Sequence, residues 1–210
     1  MPEPAVPAGI QRVLDAAARK GVTLDIRVFD ESTHTAQEAA AAVGAELGQI
    51  VKSLVFVTRN DEGALEPILC LVSGTNRVDV ARLAAVSGAA DVRRATAREA
   101  NELTGYAIGG IPPIGHTRSL RVIMDPDLGR HAIVWAAAGT PTAVFPVPPA
   151  TLRTLANAIV APITEDVAPR PVDPSTPVPV EVAGTPVESD RREPSQRESD
   201  QRESSASAAG

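Results

Sequence analysis

Apolar and polar positions alternate with two different periods along the first 163 residues. Ile10, Val13, Leu14, Ala17 and Ala18 share one helical face, and the pattern ends near Gly21. Leu24, Ile26 and Val28 then alternate with Asp25 and Arg27, the period of a half-buried strand. Thr35 and Glu38 have capping-box spacing ahead of the Ala-rich run 36–43, and Gly44 supplies a stop. Leu54 to Thr58 and Leu65 to Val72 read as two strands joined by the turn Asn60-Asp61-Glu62-Gly63, a hairpin. Asp79 opens a short helix through Val86, Val92 to Ala95 has strand character, and Thr96 with Glu99 caps a further helix. After a Gly/Pro loop at 109–115 come strands near 120–124, 131–137 and 142–147, and a last helix near 149–160. Strands outnumber helices, and tight hairpins mix with helical crossovers. The pattern predicts an α+β domain built on a mixed, strongly curved β-sheet flanked by helices.

The pattern stops at Ile163. From there to Gly210 the chain has no Leu, Ile, Met, Phe, Tyr or Trp, and Pro, Ser, Glu, Asp and Arg take over. Such a segment has too little apolar surface to offset the entropy of ordering it. The expected organisation is a folded domain over 1–165 and a disordered, low-complexity tail over 166–210. The tail carries nine acidic residues against five Arg, whereas 1–165 carries 17 acidic against 15 basic. The net charge of -6 therefore sits largely in the tail, and the folded part has room for a local basic patch.

Composition narrows the function classes. Aromatic residues make up only 2%, which argues against stacking platforms for single strands, and the net charge argues against a broad surface for duplex DNA. A single cysteine leaves no disulfide framework and no multi-Cys zinc site. The longest apolar run, Ala132 to Ala138, is strand-sized and far short of a membrane span. The opening MPEPAVPAG has neither a basic nor an apolar region of a secretory leader, so a cytoplasmic protein is expected.

Three features carry chemistry. Of twenty cationic residues eighteen are Arg, and the only lysines are Lys20 and Lys52. Lys20 ends an amphipathic helix, a favourable place for a cation. Lys52 sits where QIVKSLVFV enters an apolar strand: either a snorkelling surface side chain, or a compact ammonium aimed at a phosphate or carbonyl. The second feature is GYAIGGIPPIGH, residues 105–116. Gly109 and Gly110 let a backbone approach a ligand and present N–H groups, and Pro112 and Pro113 stiffen the loop. It is a rigid connection, or a preorganised donor loop for a carbonyl oxygen. The third is SGTNRVD, residues 73–79, where Ser73, Gly74 and Asn76 form a turn or line a polar pocket. Cys70, inside PILCLV, reads as a buried small hydrophobe. His34 and His131 have no metal-ligand spacing with another His or Cys.

Taken in order, QIVKSLVF, the strand into SGTNRVD, TGYAIGGIPPIGH, and the strands into MDPDL and WAAAGT resemble the YbaK/EbsC superfamily. That group includes free-standing aminoacyl-tRNA deacylases and the editing insertion domain of bacterial prolyl-tRNA synthetases. The resemblance covers roughly Val22 to Ile163. It implies hydrolysis of the ester joining a wrong amino acid to the 3′-terminal adenosine of tRNA, typically tRNA for proline. The partners implied are the acceptor end of misacylated tRNA and, further off, prolyl-tRNA synthetase, with no DNA and no membrane.

By the same resemblance Lys52 engages the terminal nucleotide and the ester, and the loop Gly109 to Pro113 positions the acyl carbonyl. Lys52, Gly109 and Gly110 are thus the catalytic candidates. Ser53, Ser73, Gly74, Asn76, Ile111, Pro112, Pro113, Gly115 and His116 are the substrate-binding ones. No metal, cofactor or covalent protein nucleophile is implied; water or a substrate hydroxyl attacks while Lys52 and backbone donors stabilise charge on oxygen. The alternative is a tRNA- or synthetase-binding module of the same fold. Retention of both Lys52 and the glycine-proline loop favours the enzyme.

Overall fold

The capping and stop signals around the second helix are used as predicted. The computed structural model describes residues 6–30 and 35–166; the expected tail, apart from Asp166, and His34 lie outside them. Helix α1 runs Ala8–Ala18 and buries Ile10, Val13, Ala16 and Ala17. Strand β1 is only Arg27–Val28, and α2 spans Ala36–Val43. Both halves of the Thr35/Glu38 capping box form, and Gly44 closes α2 in the left-handed region at φ 67°. A 3-10 turn at Leu47–Gln49 leads into β2, Val51–Arg59, which pairs antiparallel with β3, Leu65–Ser73. At the hairpin, Asn60 Oδ1 accepts from the N–H groups of Glu62 and Ala64, and Gly63 takes φ 78°.

The remaining elements are α3, Val80–Ser87; β4, Arg93–Arg94; α4, Ala97–Thr104; and β5, Arg121–Met124. A 3-10 turn at Pro126–Arg130 precedes β6, Val134–Ala137; β7, Ala143–Val147; α5, Pro149–Ala156; and β8, Ile159–Val160. Several strands are shorter than the sequence pattern suggests, and two departures concern the sheet edges. Val28 is exposed, because β1 is an edge strand pairing only with β7. The last helix stops at Asn157, which adopts φ 50°, and the apolar pair after it joins the sheet edge as β8.

The hydrogen bonding divides into a five-stranded mixed sheet, β4-β2-β3-β5-β8, and a three-stranded antiparallel sheet, β1-β7-β6. An isolated parallel bridge between Ile50 and Trp135 links them. The architecture is mixed α and β, with helices packed on the sheets.

Strand β3 lies between two apolar layers, which explains the uninterrupted run PILCLV. Leu69 and Leu71 face the larger cluster, which holds α1, α5 and the inner face of the three-stranded sheet. Ile68, Cys70 and Val72 face the smaller one, with Phe56, Leu83, Ile123 and Ile163. A third cluster seats α2 on Ile50, Trp135 and Val144. Among the described residues no helix is long and apolar enough to cross a membrane.

Candidate active site

A cavity of about 240 Å³ opens between α2, β2, β4, the turn at 108–111 and the three-stranded sheet. Strand alternation fixes how β2 faces it. Asn60 N–H donates to Ala64 C=O at 3.0 Å, so even-numbered residues of β2 direct their main-chain groups to β3. Val55 C=O accepts from Ala95 N–H at 3.0 Å, so odd-numbered residues point the other way. On that side β2 pairs with β4 only at Phe56 and Val57, and is next bridged at Ile50. The main chain of Ser53 therefore forms an open strand edge along the cavity wall. Its Oγ is buried without a hydrogen-bond partner among the described residues. Ser53 thus offers one N–H donor, one carbonyl acceptor and one free hydroxyl.

Lys52 points to the opposite face of β2 and is held, not loose. Its Nζ donates to Gly74 C=O at 3.1 Å and to Asn76 C=O. An ammonium has three N–H groups, so one remains for a ligand. Partial burial lowers the proton affinity of Lys52, Arg77 and Arg94 add to that effect, and Asp125 opposes it.

The two carbonyls are fixed by a buried polar network. Asp125 is completely buried and accepts from Ser73 N–H at 3.1 Å, Asn76 Nδ2 at 2.9 Å and Asp127 N–H at 3.0 Å. Asn76 Nδ2 also reaches Asp127 Oδ2 at 2.8 Å, and Arg130 pairs with Asp127 at 3.0 Å. Ser73 Oγ donates to Gly48 C=O at 2.8 Å. Gly74 is tight: a Cβ there would lie 2.1 Å from Leu47 C=O. The 73–76 turn thus serves as the clamp for Lys52, and Ser73, Gly74 and Asn76 do not line the cavity.

The glycine-proline loop contributes its first part only. Gly109, at φ 91°, and Ile111 line the cavity, with Ile108 exposed at its rim. Gly110 is no free donor, since its N–H is taken by Ala107 C=O at 3.1 Å. A Cβ on Gly110 would meet the Thr140 backbone at 2.7 Å, so this glycine answers to loop packing. Pro112 and Pro113 are buried and, with Gly115 and His116, lie away from the cavity wall.

His116 Nε2–H donates to Pro112 C=O at 2.8 Å, and the ring stands edge-on to Tyr106 at 6.0 Å. Burial pulls its pKa down to about 4, so it is neutral near pH 7. Tyr106 OH donates to Gly115 C=O at 2.7 Å, Arg12 stacks on the Tyr106 ring at 4.2 Å, and Arg12 also donates to Gly105 C=O at 2.7 Å. This half of the loop is a structural lock. Cys70 is buried and its thiol is pushed up to about 12 by burial.

The predicted residues thus separate into cavity wall (Lys52, Ser53, Gly109, Ile111), clamp (Ser73, Gly74, Asn76) and loop frame (Gly110, Pro112, Pro113, Gly115, His116). Sequence reasoning missed Asp125, Arg94, Trp135 and the start of α2 at Thr35 and Ala36. An aspartate closing the apolar strand VIM was a usable signal, since a carboxylate there must find donors. Arg94 and α2 reach the cavity only through tertiary packing.

The comparisons with known proteins fit this geometry. The aminoacyl-tRNA editing domain matches residues 30–155. The chain belongs to that family. It is 29% identical to the multifunctional Ser/Thr-tRNA deacylase ProXp-y of Escherichia coli, over 56% of this chain and 70% of that protein. It is 30% identical to a proline–tRNA ligase of Limosilactobacillus fermentum, over 45% of this chain but only 17% of that enzyme. A crystal structure of a candidate trans-editing enzyme for prolyl tRNA synthetase superposes with TM-score 0.70 at 45% identity, covering 77% of this chain and 99% of the other.

Proposed function

We propose that this editing domain is a free-standing, cytoplasmic hydrolase that removes a wrong small amino acid from the 3′ end of tRNA, with tRNA for proline as the substrate body. The observation that carries the reading is the clamped Lys52 ammonium, with one uncommitted N–H, beside the open Ser53 edge. Membership in the editing family and the likeness to free-standing deacylases support it.

The chemistry follows from the donors available. Ester hydrolysis builds negative charge on the carbonyl oxygen as water or a neighbouring substrate hydroxyl attacks. Lys52 and the Ser53 N–H stabilise that charge, and Gly109 supplies the bare backbone beside it. The Ser53 carbonyl and Oγ accept from the substrate's ammonium group. Ala36, Ala39, Ala100, Ala137 and Ala143, with Ile111 and Trp135, bound the space for the amino acid side chain. Binding of this kind holds the ester in reacting geometry without a covalent protein intermediate. The curvature expected of the sheet would arise at Ile50, which lies just ahead of β2 and bridges Trp135 of the other sheet.

A deacylation panel on tRNA for proline charged with Pro, Ala, Ser, Thr, Cys or 2-aminobutyrate tests the reading. Hydrolysis of at least one small wrong ester, with the Pro ester spared, is expected. Failure on every ester overturns it.

A further inference from the structure

Arg93 and Arg94 make up β4, and strand alternation sends their side chains to opposite faces. Arg93 takes both oxygens of Glu99, at 2.7 and 2.9 Å. Arg94 instead lines the cavity with Lys52 and Ser53, and has no carboxylate partner among the described residues. Arg77 is exposed and directly follows Asn76, whose carbonyl holds Lys52 Nζ; it too lacks a carboxylate partner among them. Arg82, Arg93, Arg98 and Arg130 each have a carboxylate partner; among the described arginines without one, Arg77 and Arg94 are the two whose charge bears on Lys52. Both guanidinium groups also depress the proton affinity of Lys52, so positive charge accumulates around the ammonium. No acidic side chain of the described residues neutralises Arg77 or Arg94. A bound anion would.

We propose that Arg77 and Arg94 bind the phosphodiester backbone of the RNA strand that carries the ester, Arg94 from the cavity wall and Arg77 from the exposed end of the turn that clamps Lys52. The proposal rests on the deacylase reading. It adds that the domain grips the strand by charge at two places as well as at the ester. A guanidinium fork suits phosphate oxygens, and each phosphate neutralised releases counterions, so the contact has a salt signature.

The test compares wild type with Arg77→Gln, Arg94→Gln and the double variant on two substrates: full aminoacyl-tRNA and the same amino acid esterified to adenosine, which has no phosphodiester. With tRNA, the slope of log(kcat/KM) against log salt should become shallower by about 0.7 for each cation removed. The double variant's preference for tRNA over the adenosine ester should fall about tenfold, mainly through KM. An unchanged salt slope, or equal losses on both substrates, would overturn the proposal. Binding of uncharged tRNA, measured on the same proteins, reads the patch separately from catalysis. If wild type hydrolyses neither ester, the deacylase reading falls, and a salt slope for uncharged tRNA that is equal in wild type and double variant removes the phosphate site as well.

Discussion

At the scale of single residues the site depends on a lysine kept charged in a partly buried place. Burial and two arginines favour the neutral amine, while Asp125 and two carbonyls favour the ammonium. Asp125→Asn removes the opposing charge and leaves one of the three N–H donors around it unmatched, at a cost of roughly 1–3 kcal/mol in stability. If Lys52 acts as the cation proposed above, the alkaline limb of kcat/KM should move to lower pH in this variant. A uniform drop in rate with the limb unmoved would assign Asp125 a structural role only.

His116 gives a second pH dependence, this one in stability. Its folded pKa of about 4 lies below the ordinary value of 6.5, so the unfolded chain binds more protons between those limits. The contribution is fully present above pH 6.5 and is lost as pH falls toward 4, at most about 3 kcal/mol. His116→Gln keeps a donor for Pro112 C=O without the titration. The fall in melting temperature from pH 7 to pH 4.5 should therefore be smaller in the variant. Parallel profiles would show that His116 is not the titrating group.

Among the elements, the loop at 105–116 shows how far sequence can be read. Its glycines and prolines announce a rigid, closely approached backbone, and the structure has one. Which atoms approach which is set by the Thr140–Pro141 turn, far away in sequence, and this was not legible. The sequence reading makes Gly110 a donor to the substrate; its N–H is spent inside the turn and its Cα packs on Thr140. Gly110→Ala should destabilise the fold by about 1–3 kcal/mol, as overpacking against backbone does, measured by urea unfolding. Wild-type stability with lost activity would instead place Gly110 against the substrate. Strand β2 makes the same point. Its apolar run and Lys52 stand out in the sequence, but its open edge at Ser53 exists only because β4 is two residues long.

For the whole molecule, the capping boxes, the hairpin turn and the two-sided burial of β3 were legible because each is a local signal repeated over several residues. The division into two sheets was not, because it depends on pairings between strands far apart in sequence, such as β1 with β7. Contacts of the described chain continue through its last residues. Ile163 is fully buried, Val78 bridges Thr164, and Arg82 pairs with Asp166 at 2.5 Å. We propose that the domain ends there. Truncation after Asp166 should leave the melting temperature within about 2 °C of the full chain, whereas truncation before Ile163 should lower it by many degrees, since a fully buried Ile contributes roughly 2–3 kcal/mol. A large loss on the first cut would place part of 167–210 in the fold.

The central claim is that a clamped lysine beside an open strand edge hydrolyses an aminoacyl ester. The most direct measurement is single-turnover deacylation of misacylated tRNA for proline by wild type, Lys52→Ala and Lys52→Arg, with folding of each verified by circular dichroism. Removing one well-aimed donor costs about 3–4 kcal/mol in comparable sites, so Lys52→Ala should be about a hundredfold to a thousandfold slower. Lys52→Arg should recover little, because the wider guanidinium cannot sit between Gly74 C=O and Asn76 C=O as a point charge does. Near-normal turnover of every hydrolysed ester by folded Lys52→Ala would contradict the account.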